Sequence, residues 1–296
     1  VVAASAPTLY YYCSNHASMG GTANTPAEAA TTSMRYKVET KNQSYTAAGT
    51  TAYDSSSSGH TVTAAGDAAI STTQTKVGTH SIYFDGDGDR LVVPDSTDFD
   101  FGTGAFTIEC WFNVSVINGT TQSARNQIIG KWGYNGDWCL SISSSGNKVQ
   151  FWIYDVVAVE WTTTPTTGTW YHCAVVREGT GTNETKMYID GVEVDTGTVA
   201  TNFPQAGASH DIYIGQQGTP SWQATDRDYE GYLDQIRISN SARYTAAFTT
   251  FGQDGGTIAS PTAFTSDANT KLLIHGEALA ASGKITRIHG TSLAWK

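Results

Sequence analysis

Between residues 82 and 238 apolar and polar side chains trade places in short runs, and small or turn-forming residues break each run. The runs are SIYF, RLVVP, FTIECWFNV, NQIIGKW, WCLSIS, KVQFWIY, WYHCAVVRE, TKMYIDGVEV, DIYIGQ and GYLDQIRIS. Period-2 alternation bounded by Gly, Asn, Asp and Ser predicts strands, and a rhythm of roughly 8–12 residues is that of an antiparallel sandwich. In IDGVEV, Asp190-Gly191 supplies the positive φ angles of a tight hairpin, so MYI is expected to pair back onto VEV. In QFWIYD, alternation sends Phe151 and Ile153 to one face and Trp152 and Tyr154 to the other. No pattern of helical period and useful length competes.

The flanks read differently. Residues 1–53 are rich in Ala, Thr and Ser, with a credible strand at MRYKVET, and form an N-terminal extension that orders against something else. Residues 54–250 hold the sandwich. Residues 251–296 begin as a Gly/Pro/Ser linker and end in two strand-like pieces, TKLLIHGEAL and KITRIHGTSLAW. Leu272, Leu273, Ile274 and Trp295 would be left wet unless a neighbour covers them.

Composition sharpens this picture. The chain has 296 residues, long enough to bury a sizeable core. Charged residues are only 15%, while fifteen Tyr and eight Trp accompany abundant Thr, Ser and Gly, as many short strands require. A formal net charge of -10 with no Lys/Arg stripe disfavours nucleic acid. No run of eighteen apolar residues or polybasic anchor points to a membrane. The sequence opens without Met, basic n-region or apolar h-region, so a secretion signal is expected to be absent or already removed. Cys13, Cys110, Cys139 and Cys173 are spaced too widely for a zinc knuckle or a CxxC redox motif, and their disulfide state stays open.

Three stretches carry a family likeness: KVGTHSIYFDGDGDRLVVPDSTDFDFGTGAFTIECWFNV, GTWYHCAVVREGTGTNETKMYIDGVEV, and IYIGQQ followed by YEGYLDQIRISNSARYTAAF. In order and spacing they resemble the laminin-G-like, or concanavalin A-like, jelly-roll domains of extracellular and phage structural proteins, over about residues 54–250. The resemblance implies an all-β sandwich of two antiparallel sheets, here with extended N- and C-terminal arms. The family's first strand resembles TKLLIH and precedes an element like YDSSSSGHT; in this chain TKLLIH follows the domain instead. Either the chain ends in the opening of a further repeat, or Leu272, Leu273 and Ile274 form an assembly strand on a sheet edge, in this subunit or the next.

Asp85, Asp87 and Asp89 in DGDGD invite a calcium reading, because a hard cation wants converging oxygens. An EF-hand is rejected: Arg90 and Ser96 stand where its glycine and acid belong. The resemblance implies that a structural calcium can sit where the early loop meets the closing strand, with Asp234 as the late ligand. The alternative reading is a solvated turn, with Asp234 accepting backbone amides or meeting Arg90 or Arg237.

Catalysis is not expected. Sandwich glycosidases need paired carboxylates, typically E-x-D-x-x-E, and no such triplet occurs; Glu109 and Glu160 stand alone. His172 reads as a satisfied sheet residue, and no G-x-S-x-G elbow accompanies it. Glycan binding is the livelier chemistry, since sugar rings stack on exposed aromatic faces. Trp132, Tyr134, Trp138, Trp152, Tyr154 and Trp161 fall within thirty residues, and Trp222 sits in a rim loop. The expectation is a non-enzymatic structural or interaction protein, extracellular or on a virus (phage) surface. Its partners would be neighbouring copies or other particle proteins, met through the terminal arms. The alternatives are a lectin-like module recognising surface glycans and, more weakly, a glycoside hydrolase.

Overall fold

The computed structural model describes residues 8–12, 20–24, 52–117, 125–131, 138–143, 146–154, 156–204, 210–217, 227–249, 253–254, 257–258 and 262–276. The chain divides into two compact units, Val1–Thr40 with Thr286–Lys296, and Lys41–Ile285. In the first, β1 (Thr8–Tyr12) and β2 (Gly20–Asn24) pair as an antiparallel hairpin that the sequence pattern did not suggest. MRYKVET and KITRIHGTSLAW lie outside the described residues.

The second unit holds the remaining strands. They begin with β3 (Thr63–Ala65), β4 (Ala69–Ser71), β5 (Ser81–Asp85), β6 (Arg90–Val93), β7 (Phe106–Val116), β8 (Arg125–Lys131) and β9 (Trp138–Ser143). Next come β10 (Lys148–Ile153), β11 (Val156–Trp161), β12 (Tyr171–Arg177), β13 (Thr185–Ile189), β14 (Val192–Gly197), β15 (Ile212–Ile214) and β16 (Glu230–Ser239). The short pair β17 (Gln253–Asp254) and β18 (Thr257–Ile258) precedes β19 (Thr270–Ile274). Two antiparallel sheets result. A seven-stranded sheet runs β11-β10-β9-β8-β15-β6-β3, and an eight-stranded sheet runs β14-β13-β12-β7-β16-β5-β4, with β19 joined to β16.

The alternation read from the sequence decides which way each strand faces. Along β7, Phe106, Ile108, Cys110, Phe112 and Val114 enter the common core. From the other sheet Leu140, Ile142, Val149 and Phe151 meet them. Fully burying a side chain of this kind contributes about 1.5–3 kcal/mol. The outer face of the eight-stranded sheet is covered too: Ala174, Val176 and Tyr188 pack under Tyr244 and Phe248, while Trp111 and Leu273 pack with Val77 and Phe264.

The hairpin between β13 and β14 turns as expected, with Asp190 at φ 50° and Gly191 at φ 79°. Gly191 has a second constraint, because a Cβ there would collide with the carbonyl oxygen of Phe248, whose N–H donates to Gly191 O at 2.9 Å. The edge strands β11 and β14 lie against each other, and the Glu160 N–H donates to Asp195 Oδ2 at 2.8 Å. Such a contact removes a free donor from an exposed edge.

The order of the ends is unusual. β19 pairs with β16 of its own chain, Ile236 opposite Ile274 and Ile238 opposite Leu272, continuing the line of β5. Its far side meets the domain's first described residues: Asp54 bridges Ile274, and the Ser55 N–H donates to Leu273 O at 2.6 Å. Asp54 is buried, and its carboxylate accepts from the Leu273 N–H at 2.9 Å, the Ser56 N–H at 2.8 Å and the His60 N–H at 2.7 Å. Leu272, Leu273 and Ile274 are thus dry within one chain, and the question of what covers them is answered in cis.

Candidate functional site

The outer face of the seven-stranded sheet is unlike its inner face. Register aligns Gln127 on β8 with Ser141 on β9, Ser141 with Gln150 on β10, and Gln150 with Glu160 on β11. Side chains opposite one another in adjacent strands share a face, so these four form one polar row across four strands. A second row runs parallel to it: Trp152, Cys139, Gly130 and Tyr213 are successive partners across β10, β9, β8 and β15. Trp152 and Tyr213 are both half-buried and stand three strand spacings apart, roughly 14 Å. Between them Gly130 keeps the floor low, since a Cβ would meet Cys139 Cβ at 2.7 Å and Gln127 Nε2 at 2.9 Å.

The polar row is ordered at one end and incomplete in the middle. Glu160 accepts from Lys148 Nζ at 2.8 Å and from Gln150 Nε2 at 2.7 Å. Those two hydrogen bonds hold its carboxyl below the usual range. A carboxylate kept ionised is a poor general acid, which the paired-carboxylate mechanism needs. Gln150, with its amide nitrogen turned to Glu160, leaves Oε1 facing the row, and among the described residues neither Gln150 Oε1 nor Ser141 Oγ has a hydrogen-bond partner. Gln150 is 6% exposed and Ser141 0%.

The aromatic residues singled out in the sequence separate here. Trp152 lies on the outer face, and Tyr154, at 48% exposed, marks the tip of the β10–β11 hairpin beside Val156 at 66%. Trp138 is in the core, its ring centroid 6.1 Å from that of Phe151, and Trp161 packs inward against Tyr171 at 5.3 Å. In WCLSIS the alternation already carries the answer, since Trp138, Leu140 and Ile142 share the inner face and Cys139, Ser141 and Ser143 the outer. Trp132, Tyr134 and Trp222 lie outside the described residues. Gln127, Ser141, Gln150 and Tyr213 were missed, because they sit on four strands and only register makes them neighbours.

The acidic run closes on itself. Asp89 is buried; one oxygen accepts from the Asp67 N–H at 2.6 Å and the other from the Asp85 N–H at 2.9 Å, while Asp85 accepts from the Asp87 N–H at 2.8 Å. Burial holds the Asp89 carboxyl above its ordinary range. Carboxylate oxygens of Asp67, Asp85 and Asp89 lie within 4.8 Å of one another. Calcium takes 6–8 oxygens, so three carboxylates, one of them already bonded to two amides, are an incomplete set.

Asp234 takes part elsewhere. It sits at a bulge in β16, next to Gln235 at φ 51°, and accepts from the Val77 N–H at 2.9 Å and the Gly276 N–H at 3.4 Å. Burial raises its pKa to about 6 against these hydrogen bonds. Gln235 Oε1 meets the Phe264 N–H and His275 Nδ1, each at 2.8 Å. The bulge therefore latches the end of β19.

Glu109 and His172 also prove structural. Glu109 is fully buried; its carboxylate meets Arg237 Nε at 2.8 Å, Tyr244 Oη at 2.8 Å and His172 Nε2 at 3.1 Å. Burial alone would raise its pKa, but the His172 contact and the Arg237 charge reverse this and hold it low. Phe248 and Phe264 close over the group, each ring within 5.9 Å of the His172 ring, so no substrate reaches it.

A family model described as Laminin_G_3, concanavalin A-like lectin/glucanases superfamily, matches residues 84–247. No curated protein matches the chain by sequence. Among solved structures, domain 4 of an extracellular GH43 arabinanase from Geobacillus stearothermophilus, in complex with arabinotriose, is 20% identical with a TM-score of 0.46, over 66% of this chain and 93% of that one. A botulinum neurotoxin type C structure, from a protein whose cell entry depends on two ganglioside molecules, is 16% identical with a TM-score of 0.50, over 71% of this chain. That match spans 48% of the toxin chain. At these identities the likeness is one of fold.

Proposed function

The chain belongs to the concanavalin A-like lectin/glucanases superfamily, and from that premise we propose that it is a non-enzymatic carbohydrate-binding module whose ligand lies on the outer face of the seven-stranded sheet. The observation that carries this is the pairing of two half-buried aromatic rings, Trp152 and Tyr213, with a parallel row of amide and hydroxyl groups. Aromatic faces stack on the C–H faces of sugar rings, and a few fixed polar groups read the hydroxyls; recognition sites commonly combine the two. Fold alone assigns no activity. The two carboxylates that stand alone in the sequence are also engaged in the fold, which supports the binding reading: Glu160 is ion-paired with Lys148, and Glu109 is sealed inside the protein.

Among the described residues no helix is long and apolar enough to cross a membrane. On this reading the module works at a glycan-bearing surface outside a cell, in keeping with the family to which the chain belongs. The comparisons lend no support to display on a virus or phage particle. Screening against a panel of immobilised oligosaccharides tests the proposal, with Trp152→Ala as the control. Binding lost in the variant, with its melting midpoint retained, is expected; no binding to any glycan overturns the reading.

A further inference from the structure

On the outer face of the eight-stranded sheet, a block of side chains on β5 and β16 belongs to neither of the clusters that cover the rest of that face. Ile82 and Phe84 of β5 enter the core, as do Tyr229 and Leu233 in and beside β16. Alternation therefore turns Tyr83 and Asp85 outward on one strand, and Glu230 and Tyr232 outward on the other. Register sets Tyr83 opposite Tyr232 and Asp85 opposite Glu230. An aromatic pair thus stands next to an acidic pair on the same two strands. The tyrosine rings lie with centroids 4.9 Å apart and planes tilted by 39°. Tyr83, Tyr232 and Glu230 are all half-buried, so each keeps part of its surface in water.

Like charges set directly opposite each other in adjacent strands weaken the pairing. Among the described residues neither Asp85 nor Glu230 has an ion-pair partner. Asp85 accepts the Asp87 N–H, which leaves its charge in place. The arginines nearest in sequence are committed elsewhere: Arg90 donates to Gln216 Oε1 at 2.8 Å and to Gly88 O at 3.1 Å, and Arg227 donates to Gln217 Oε1. Arg125 stands on β8, in the other sheet. The ionisable groups that act on the Tyr83 hydroxyl are all acids, Tyr232, Glu230, Asp85 and Asp89, and they add to burial in holding its pKa above the ordinary value. The block therefore carries uncompensated negative charge beside two aromatic rings, on a chain of net charge -10 that draws cations toward it.

We propose that this block docks an arginine side chain of a partner protein, its guanidinium lying against the Tyr83 and Tyr232 rings and turning its N–H groups to Asp85 and Glu230. A planar guanidinium stacks on aromatic faces and presents a rigid fork of donors that matches carboxylates, which a compact ammonium does not. A cation within about 6 Å of a tyrosine centroid is attracted by the ring itself. The bound charge also offsets the repulsion between the two carboxylates that the register sets face to face. The surface lies on the opposite sheet from Trp152, so it stands or falls apart from the carbohydrate reading. A corollary holds for the free protein. Glu230→Gln removes one of two facing charges, so it should weaken docking while leaving the unliganded protein as stable or more so.

The experiment titrates the full chain into fluorescent Arg-Gly repeat peptides, and into matched peptides carrying lysine or the uncharged isostere citrulline, reading anisotropy at physiological ionic strength. Parent, Glu230→Gln and Tyr232→Leu are compared with Glu193→Gln, which removes the same charge from β14 at the other edge of the sheet. Melting midpoints without peptide are recorded alongside. The expected result is binding of the arginine peptide, weaker binding of the lysine peptide and none of the citrulline one. Affinity should fall about three- to tenfold in Glu230→Gln and in Tyr232→Leu and hold in Glu193→Gln, with the Glu230→Gln midpoint equal or raised. Absence of arginine-peptide binding, or binding that falls as much in Glu193→Gln, overturns the proposal, the latter by reducing it to diffuse attraction. Lysine binding as tight as arginine, or displacement of the peptide by calcium, gives the carboxylates to another cation and overturns it too. Self-association of the free chain that Glu230→Gln abolishes would assign the surface to a second copy instead. Should Tyr232→Leu fail to fold, Glu230→Gln alone decides; its midpoint falling several degrees would reveal an internal partner and sink the claim.

Discussion

At the scale of single residues the most informative group is Asp234. Its carboxyl is buried at the β16 bulge with a pKa raised to about 6 from 3.8. A folded-state pKa above the unfolded one means that the fold prefers the protonated form. The stability this supplies is complete below about pH 4 and is lost as the pH climbs through 6; by pH 8 the loss is about 3 kcal/mol. Asp234→Asn, which cannot ionise, should melt higher than the parent at pH 8 and at the same temperature near pH 4. A variant that melts lower at pH 8 would mean that the charged carboxylate is what holds the Val77 and Gly276 amides. The sequence offered Asp234 either as a calcium ligand or as an acceptor of backbone amides or arginine, and in the fold two backbone amides donate to it. What the sequence could not supply was the partner, because Val77 and Gly276 stand 157 and 42 residues away along the chain.

At the scale of elements, alternation was readable wherever one face is apolar and one polar. FTIECWFNV and WCLSIS came out as strands with their inner faces recoverable, and IDGVEV as a hairpin at its correct turn residues. The segments TAA and AIS, at three residues each, were too short to show a period. VVAVEW did not alternate, being apolar at adjacent positions, yet it forms the edge strand β11. β19 was readable as a strand, but its place beside β16 was not, since pairing there is settled by the Asp54 carboxylate and the bulge latch. Arg243 adds a clamp at the entry of β19, donating to Asp267 Oδ1 at 2.8 Å and to Thr270 Oγ1 at 2.8 Å. Removing residues 270–296 withdraws Leu272, Leu273 and Ile274, together about 5–9 kcal/mol of burial, against a total stability of about 5–15 kcal/mol. The shortened protein is expected to lose cooperative unfolding in urea. An unchanged urea midpoint would show that β19 is dispensable.

At the scale of the whole molecule the acidic loop bears on how the sandwich is held together. Asp89 joins Asp67, in the turn between β3 and β4, to Asp85 at the end of β5 through two amide hydrogen bonds that brace the loop by themselves. Melting in the presence of chelator should therefore match melting in calcium, since a ligand that binds only the folded state would raise the midpoint. A midpoint several degrees higher in calcium would instead assign Asp67, Asp85 and Asp89 as its ligands. The candidate binding face follows the opposite logic to the strands that make it. Each strand was legible by itself, whereas the row Gln127, Ser141, Gln150 and Glu160 exists only once four registers are set. The meeting of Asp54 with Ile274 also sets the start and the end of the sandwich side by side. The first and last described strands of the sandwich therefore hold each other, and the bonds from Leu273 to Asp54 and from Ser55 to Leu273 are lost together when either end is withdrawn.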